Sequence, residues 1–154
     1  MAEATIPLKP VGREEIHRLE YSLLISSLVE IITDPKFADQ LRDPRDRLTW
    51  IDSIATAAAA LARDKAGMSL SEIADDIGRT EATIRKHLRG ETEAGRIVLE
   101  AYRKLERGEL DETLSIALGV GRGDVSSIRE KLEGIIAQLE GAASALRELL
   151  GELR

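Results

Sequence analysis

A chain of 154 residues that is 43% hydrophobic, 32% charged and only 3% aromatic can fold as one domain with helical extensions, and must build its core from Leu, Ile, Val and Ala. The absence of cysteine excludes disulfides and thiolate metal sites, and a net charge of −6 argues against indiscriminate binding to nucleic acid. Abundant Ala and Leu with four prolines favour helices over strands, so the expected fold class is all-α: a central helix-turn-helix flanked by long amphipathic N- and C-terminal helices. Asparagine is absent and glutamine occurs only at Gln40 and Gln138, a depletion of thermolabile side chains that hints at a thermophilic source.

The opening "MAEATIPLKPVGREE" has no apolar run behind a basic end, so no signal peptide is expected. A helix is predicted over Glu14 to Thr33, with Ile16, Leu19, Leu23, Leu28 and Ile32 at helical spacing and Leu24, Ile25, Val29 and Ile31 widening that face. Its apolar stretch is too short to span a bilayer and contains Glu30; a cytoplasmic protein with no membrane partner is expected. Pro35 and Pro44 interrupt the pattern, with room for a short helix between them. Asp43 as cap and Pro44 at the first helical position start the next helix, which runs to Gly67 with Trp50, Ile51, Ile54, Ala58 and Leu61 inward. Its alanine run permits close packing of another helix.

Ser69 and Glu72 form a capping-box pattern, Thr80 caps the helix after it, and Gly90 ends that one. "TEAGRIVLEAYRKLER" is helical, with Ile97, Val98, Ala101, Tyr102 and Leu105 inward and Gly108 at its close. "DETLSIALG" reads as a short helix at most and "VGRG" as a joint. Asp124 then caps a long helix whose Val125, Ile128, Leu132, Ile135, Leu139, Ala142, Leu146, Leu149 and Leu153 alternate steps of three and four. Ile136, Ala143 and Leu150 broaden this stripe, as suits packing among several helices, including those of a second subunit. The expected segments are 1–42 for N-terminal packing and dimerisation, 43–108 for the helix-turn-helix domain, and 109–154 for C-terminal dimerisation.

Charge is unevenly distributed. Residues 1–78 carry 9 basic and 14 acidic groups, net −5; residues 79–107 carry 8 and 5, net +3; residues 108–154 carry 5 and 9, net −4. The basic island coincides with the end of "SLSEIADDIGRTEATIRKHLRGET". In that stretch Ala74 is small where two helices would cross and Gly78, four residues on, permits the turn. Ile73, Ile77, Ile84 and Leu88 supply a shared apolar contact.

These positions resemble those of bacterial and archaeal DNA-binding regulators, and "GRTEATIRKHL" looks like the recognition helix of sigma-factor-like regulators. One departure is Arg79, at a position usually apolar in such motifs. A broader stretch, "DRLTWIDSIA" to "ERGEL", resembles regulatory domains of archaeal proteins associated with KaiC-like ATPases. That resemblance implies sensory or transcriptional regulation and a KaiC-like ATPase among the possible partners.

With Ile84 and Leu88 inward, Glu81, Ala82, Arg85, Lys86 and Arg89 fall on the outer face, with Thr80 and Glu81 at the end that enters a groove first. Arg85 suits a bidentate contact to guanine and Glu81 a bond from cytosine. Thr83, Lys86, Arg89 and Arg96 suit phosphate, as do Ser69 and Ser71 opening the preceding helix. The leading expectation is a homodimeric transcriptional regulator reading double-stranded DNA. The alternative is a protein-interaction adaptor that keeps the same scaffold without reading DNA, to which the overall acidity and Arg79 both point.

His87 and His17 each lack a second ligand nearby, so His87 reads as a half-buried packing residue and no metal is expected. Glu14 and Glu20 beside His17 read as surface. "GVGRGD" lacks the Lys-Ser/Thr ending of a phosphate loop and reads as a turn. Asp75 and Asp76 fall on the outer side of their helix with no nucleophile near, so neither catalysis nor a cofactor is expected.

Overall fold

The computed structural model describes residues 5–109, 117–118 and 125–153, the last stretch with side chains from Arg129 onward. The fold is all-α. Among the described residues there are seven α-helices, one 3₁₀ turn (Pro35–Phe37) and no strand. The helices are α1 (Arg13–Thr33), α2 (Ala38–Arg42), α3 (Pro44–Lys65), α4 (Leu70–Ile77), α5 (Glu81–Leu88), α6 (Glu93–Glu106) and α7 (Val125–Glu152). The described residues fall into two compact units, one holding α1 to α6 and the other α7. The short helix, joint and Asp124 cap read from the sequence over 110–116 and 119–124 lie outside the described residues.

The starts and stops follow from local chemistry. Asp43 accepts a bond from the Arg45 amide at 2.8 Å, with Pro44 in the first turn of α3. Between Asp34 and Asp43 the expected short helix takes two pieces, the 3₁₀ turn capped by Asp34 and the five residues of α2. The Ser69–Glu72 capping box closes in both directions: the Glu72 amide donates to Ser69 Oγ at 3.2 Å and the Ser69 amide to Glu72 Oε2 at 2.7 Å. The amide bond from Ser69 also holds the Glu72 carboxyl below the usual range.

Helix α3 is the axis of the first unit, with α1, α2, α4, α5 and α6 packed around it. From Ile54 to Arg63 nearly every side chain is buried. One core cluster joins Leu19, Leu23 and Ile31 of α1 to Ile54, Ala58 and Leu61 of α3 and to Ile97, Val98, Ala101, Tyr102 and Leu105 of α6. Residues before and after position 43 therefore share one core. A second cluster joins Ala60 of α3, Ile73 and Ala74 of α4, and Ile84 of α5, flanked by Ile77 and Leu88.

Helix α1 departs from the expected apolar stripe. Ile32 is 72% exposed and Ile31 is buried in its place, while Ser22, Ser26 and Ser27 line the buried side. Each serine donates to the carbonyl four residues earlier, at 2.8, 2.6 and 2.7 Å, so none brings an unsatisfied hydroxyl into the core. The buried positions Leu19, Leu23, Ser27 and Ile31 advance in steps of four, a line that a search for apolar residues passes over. On α3 Ile51, expected inward, is 38% exposed, while Trp50 beside it packs against Phe37 and the core.

A buried cation ties α4 to the rest. Arg63 of α3 donates through Nε to Asp76 Oδ2 of α4 at 2.5 Å and through Nη1 to Glu20 Oε2 of α1 at 2.7 Å. Burial disfavours its charge, but the bonds to Asp76 and Glu20 more than offset that and raise its pKa. The same contact holds the Asp76 carboxyl below the usual range. Glu20 and Asp76, read from the sequence as solvated, are structural partners of Arg63.

Candidate nucleic-acid interface

Helices α4 and α5 meet through Gly78, Arg79 and Thr80. Gly78 adopts the left-handed conformation (φ 72°, ψ 40°), which lets two successive amides, those of Gly78 and Arg79, donate to the Ala74 carbonyl at 2.9 and 3.1 Å. Any side chain there would strain the backbone. Arg79 does not pack inward. It reaches back to α3, where Nη2 donates to Asp52 Oδ1 at 3.0 Å, so a polar clamp holds the turn where an apolar contact is usual. Thr80 then caps α5, its Oγ1 accepting from the Thr83 amide at 3.2 Å.

The face assigned from the sequence is solvent-exposed in this unit: Thr80, Glu81, Ala82, Arg85, Lys86, Arg89 and Arg96, with Ser69 and Ser71 at the start of α4. Thr83 is half-buried, its hydroxyl 2.9 Å from that of Thr80. Of the three hydroxyls that cap helices, those of Ser69 and Thr80 lie on this face, each accepting a bond from its own backbone. Arg96 donates to the Gly90 carbonyl at 3.2 Å, which anchors it beside the C-terminal end of α5.

The positive groups of this region differ in pairing. Arg103 and Arg107 contact Glu100 at 3.5 and 3.2 Å, Arg107 also contacts Glu109 at 3.0 Å, and Lys104 contacts Glu30 at 3.3 Å. Arg89 has only a long, exposed contact with Glu91 at 3.9 Å. Arg85 and Lys86 have no acidic partner among the described residues. The uncompensated charge is therefore concentrated on the outer face of α5.

The inner face of α5 carries Ile84 and His87, with Leu88 half-buried. His87 is more enclosed than its sequence position suggests. Its Nδ1 lies 2.7 Å from Thr92 Oγ1, the side chain that also caps α6 by accepting from the Gly95 amide at 2.9 Å. Gly95 was not singled out by any motif, yet it sets the approach of α5 to α6. A Cβ there would clash with the His87 carbonyl oxygen and lie 2.9 Å from the His87 Cα. A glycine inside an otherwise helical stretch was the available signal.

Burial pushes the His87 pKa below the ordinary histidine value, with Asp52 acting weakly in the opposite sense. The unfolded chain consequently takes up a proton near pH ~6.5 that the folded chain refuses. Stability should be fully present above that pH and decline as the solution is acidified towards the folded pKa. His87→Gln should flatten this part of the profile, measured by urea unfolding at about pH 7.5 and about pH 5.5. An unchanged slope would show that other groups govern it.

His17 sits on the exposed side of α1, its Nδ1 3.9 Å from Glu20 Oε2. Among the described residues no three His, Asp or Glu side chains converge as metal ligands would, and no helix is long and apolar enough to cross a membrane.

The chain is 50% identical over 106 residues to the uncharacterized protein MJ1053 of the archaeon Methanocaldococcus jannaschii, a match covering 69% of this chain and 63% of that protein. The chain thus spans less than two thirds of the relative it matches. No protein-family model and no solved structure matches it.

Proposed function

We propose that this chain is a homodimeric, sequence-specific DNA-binding regulator of transcription, which reads the major groove with residues 81–89. The observation that carries this reading is the positive charge of Arg85 and Lys86 on an exposed helix face, without an acidic partner among the described residues, whereas Arg103, Lys104 and Arg107 nearby are paired with Glu30, Glu100 and Glu109. The short turn at Gly78 joins that helix to α4, which Arg63 ties to α3, and the exposed Arg79–Asp52 pair adds a contact between the turn and α3. In this reading Arg85 and Glu81 meet base edges, Ala82 allows close approach, and Ser69, Ser71, Thr80, Thr83, Lys86, Arg89 and Arg96 meet the phosphate backbone. A two-fold dimer places its two reading helices about 34 Å apart and favours a palindromic site. The resemblance to regulatory domains associated with KaiC-like ATPases makes such an ATPase a candidate upstream partner.

Fluorescence anisotropy with mixed genomic duplexes tests the reading. Binding should weaken with salt; for about six phosphate contacts in a dimer the loss is roughly 10³-fold between ~50 and ~200 mM. No salt-sensitive binding at the lower concentration would overturn the DNA reading in favour of a protein-interaction adaptor.

A further inference from the structure

Helix α7 presents an apolar stripe that is open to solvent: Leu132, Ile135, Leu139, Leu146 and Leu149 are between 53% and 65% exposed. The helix also carries Gly134, Gly141 and Gly151, each costing about 1 kcal/mol of intrinsic helix stability relative to alanine. A 28-residue helix with three glycines and a bare leucine face needs a partner to persist in water.

We propose that α7 pairs with α7 of a second copy, antiparallel, about a two-fold axis between Glu140 and Gly141. In an antiparallel pair the alternate seam positions face each other across the axis. This register sets Leu132 opposite Leu149 of the second copy, Ile135 opposite Leu146, and Leu139 opposite Ala142, so that the one small seam residue meets a large one. A parallel pair would set Ala142 against itself and leave a void.

The flanking positions agree in the middle of the seam, while Arg129 stands opposite Leu150 towards its ends. On one edge the antiparallel register sets Ile136 opposite Ala143 of the second copy, extending the apolar contact that broadens the stripe. On the other it sets Gln138 opposite Ala145. The parallel arrangement would instead face Lys131 with Ile136, Gln138 with Ala143 and Ala145 with Leu150. The glycines stand on the outer side of the seam in either case and add no contact. The two chains then enter the seam at opposite ends, with the two copies of residue 125 about 46 Å apart along it.

This pairing supplies the dimer that the DNA reading calls for, yet the two fail separately, because its test uses no DNA. The full chain has no cysteine, so introduced thiols report geometry directly. Sedimentation of the unmodified chain at micromolar concentration should give twice the chain mass. Leu132→Cys with Leu149→Cys should oxidise to a covalent dimer, since the facing thiols lie within disulfide reach while those of one helix are about 26 Å apart. Leu132→Cys alone should not cross-link. A monomer, a dimer cross-linked by the single Leu132→Cys, or a dimer that neither variant cross-links would each overturn the proposal. Should the cross-links form while anisotropy detects no DNA binding, the antiparallel pair stands and the DNA reading falls.

Discussion

Gly95→Ala should be the most damaging single-methyl substitution in the first unit. The added carbon meets main-chain atoms of His87, which no rotamer change can move aside. Either α6 slides away from α5 or the Thr92–His87 contact and the Thr92 cap are lost. Overpacking against backbone costs about 1–3 kcal/mol or more, against a helix-propensity gain of at most about 1 kcal/mol. A net loss of about 2 kcal/mol and a fall of several degrees in Tm follow, read by thermal unfolding of the full chain. Gly134→Ala provides the contrast. Nothing lies within 4 Å of its added carbon, so the same chemical change should stabilise α7. Equal effects at the two sites would show that α5 and α6 do not meet as closely as the structure indicates. Because α5 is held between α3, α4 and α6, Gly95→Ala should also weaken any binding that depends on the orientation of α5.

Arg85→Ala and Lys86→Ala should separate two kinds of contact on the proposed reading face. Neither side chain supports the fold, since both are exposed and neither has an acidic partner among the described residues. Melting should therefore stay within about 0.5 kcal/mol of the parent for each. On a site selected from random duplexes, Arg85→Ala should lose about 1–3 kcal/mol of discrimination at one base position while non-specific affinity changes little. Lys86→Ala should weaken binding to every sequence and lower the salt slope by about 1 per site. The double substitution should cost at least about ten-fold in affinity. Two variants that bind as the parent does would place the interface elsewhere on the molecule.

The local punctuation of this chain was legible in its residues. Asp43 with Pro44, Ser69 with Glu72, Thr80, and the glycines at 67, 78, 90 and 108 act through the backbone within one turn, and each glycine adopts positive φ at the end of its helix. Such signals need no knowledge of the fold, because a cap satisfies an orphan amide wherever the helix ends up. The inward side of α6 was legible for a related reason: Ile97, Val98, Ala101, Tyr102 and Leu105 are apolar, so burial and hydropathy coincide.

Only the tertiary structure decided the polar interior. Arg63 looks like a helix-end cation, and Glu20 and Asp76 like surface acids, until three helices bring them together across separations of 43 and 13 residues. Ser22, Ser26 and Ser27 are hydrophilic by type yet buried, since each satisfies its hydroxyl on its own helix. Gly95 carries no side chain to mark its importance, and the contact it permits exists only once α5 and α6 have met. Which cations of the basic island remain unpaired was likewise set by long-range packing, which brought Lys104 to Glu30. Sequence determined where helices begin, end and turn, because those energies are local. Packing determined which charges are spent inside the molecule and which are left facing outward.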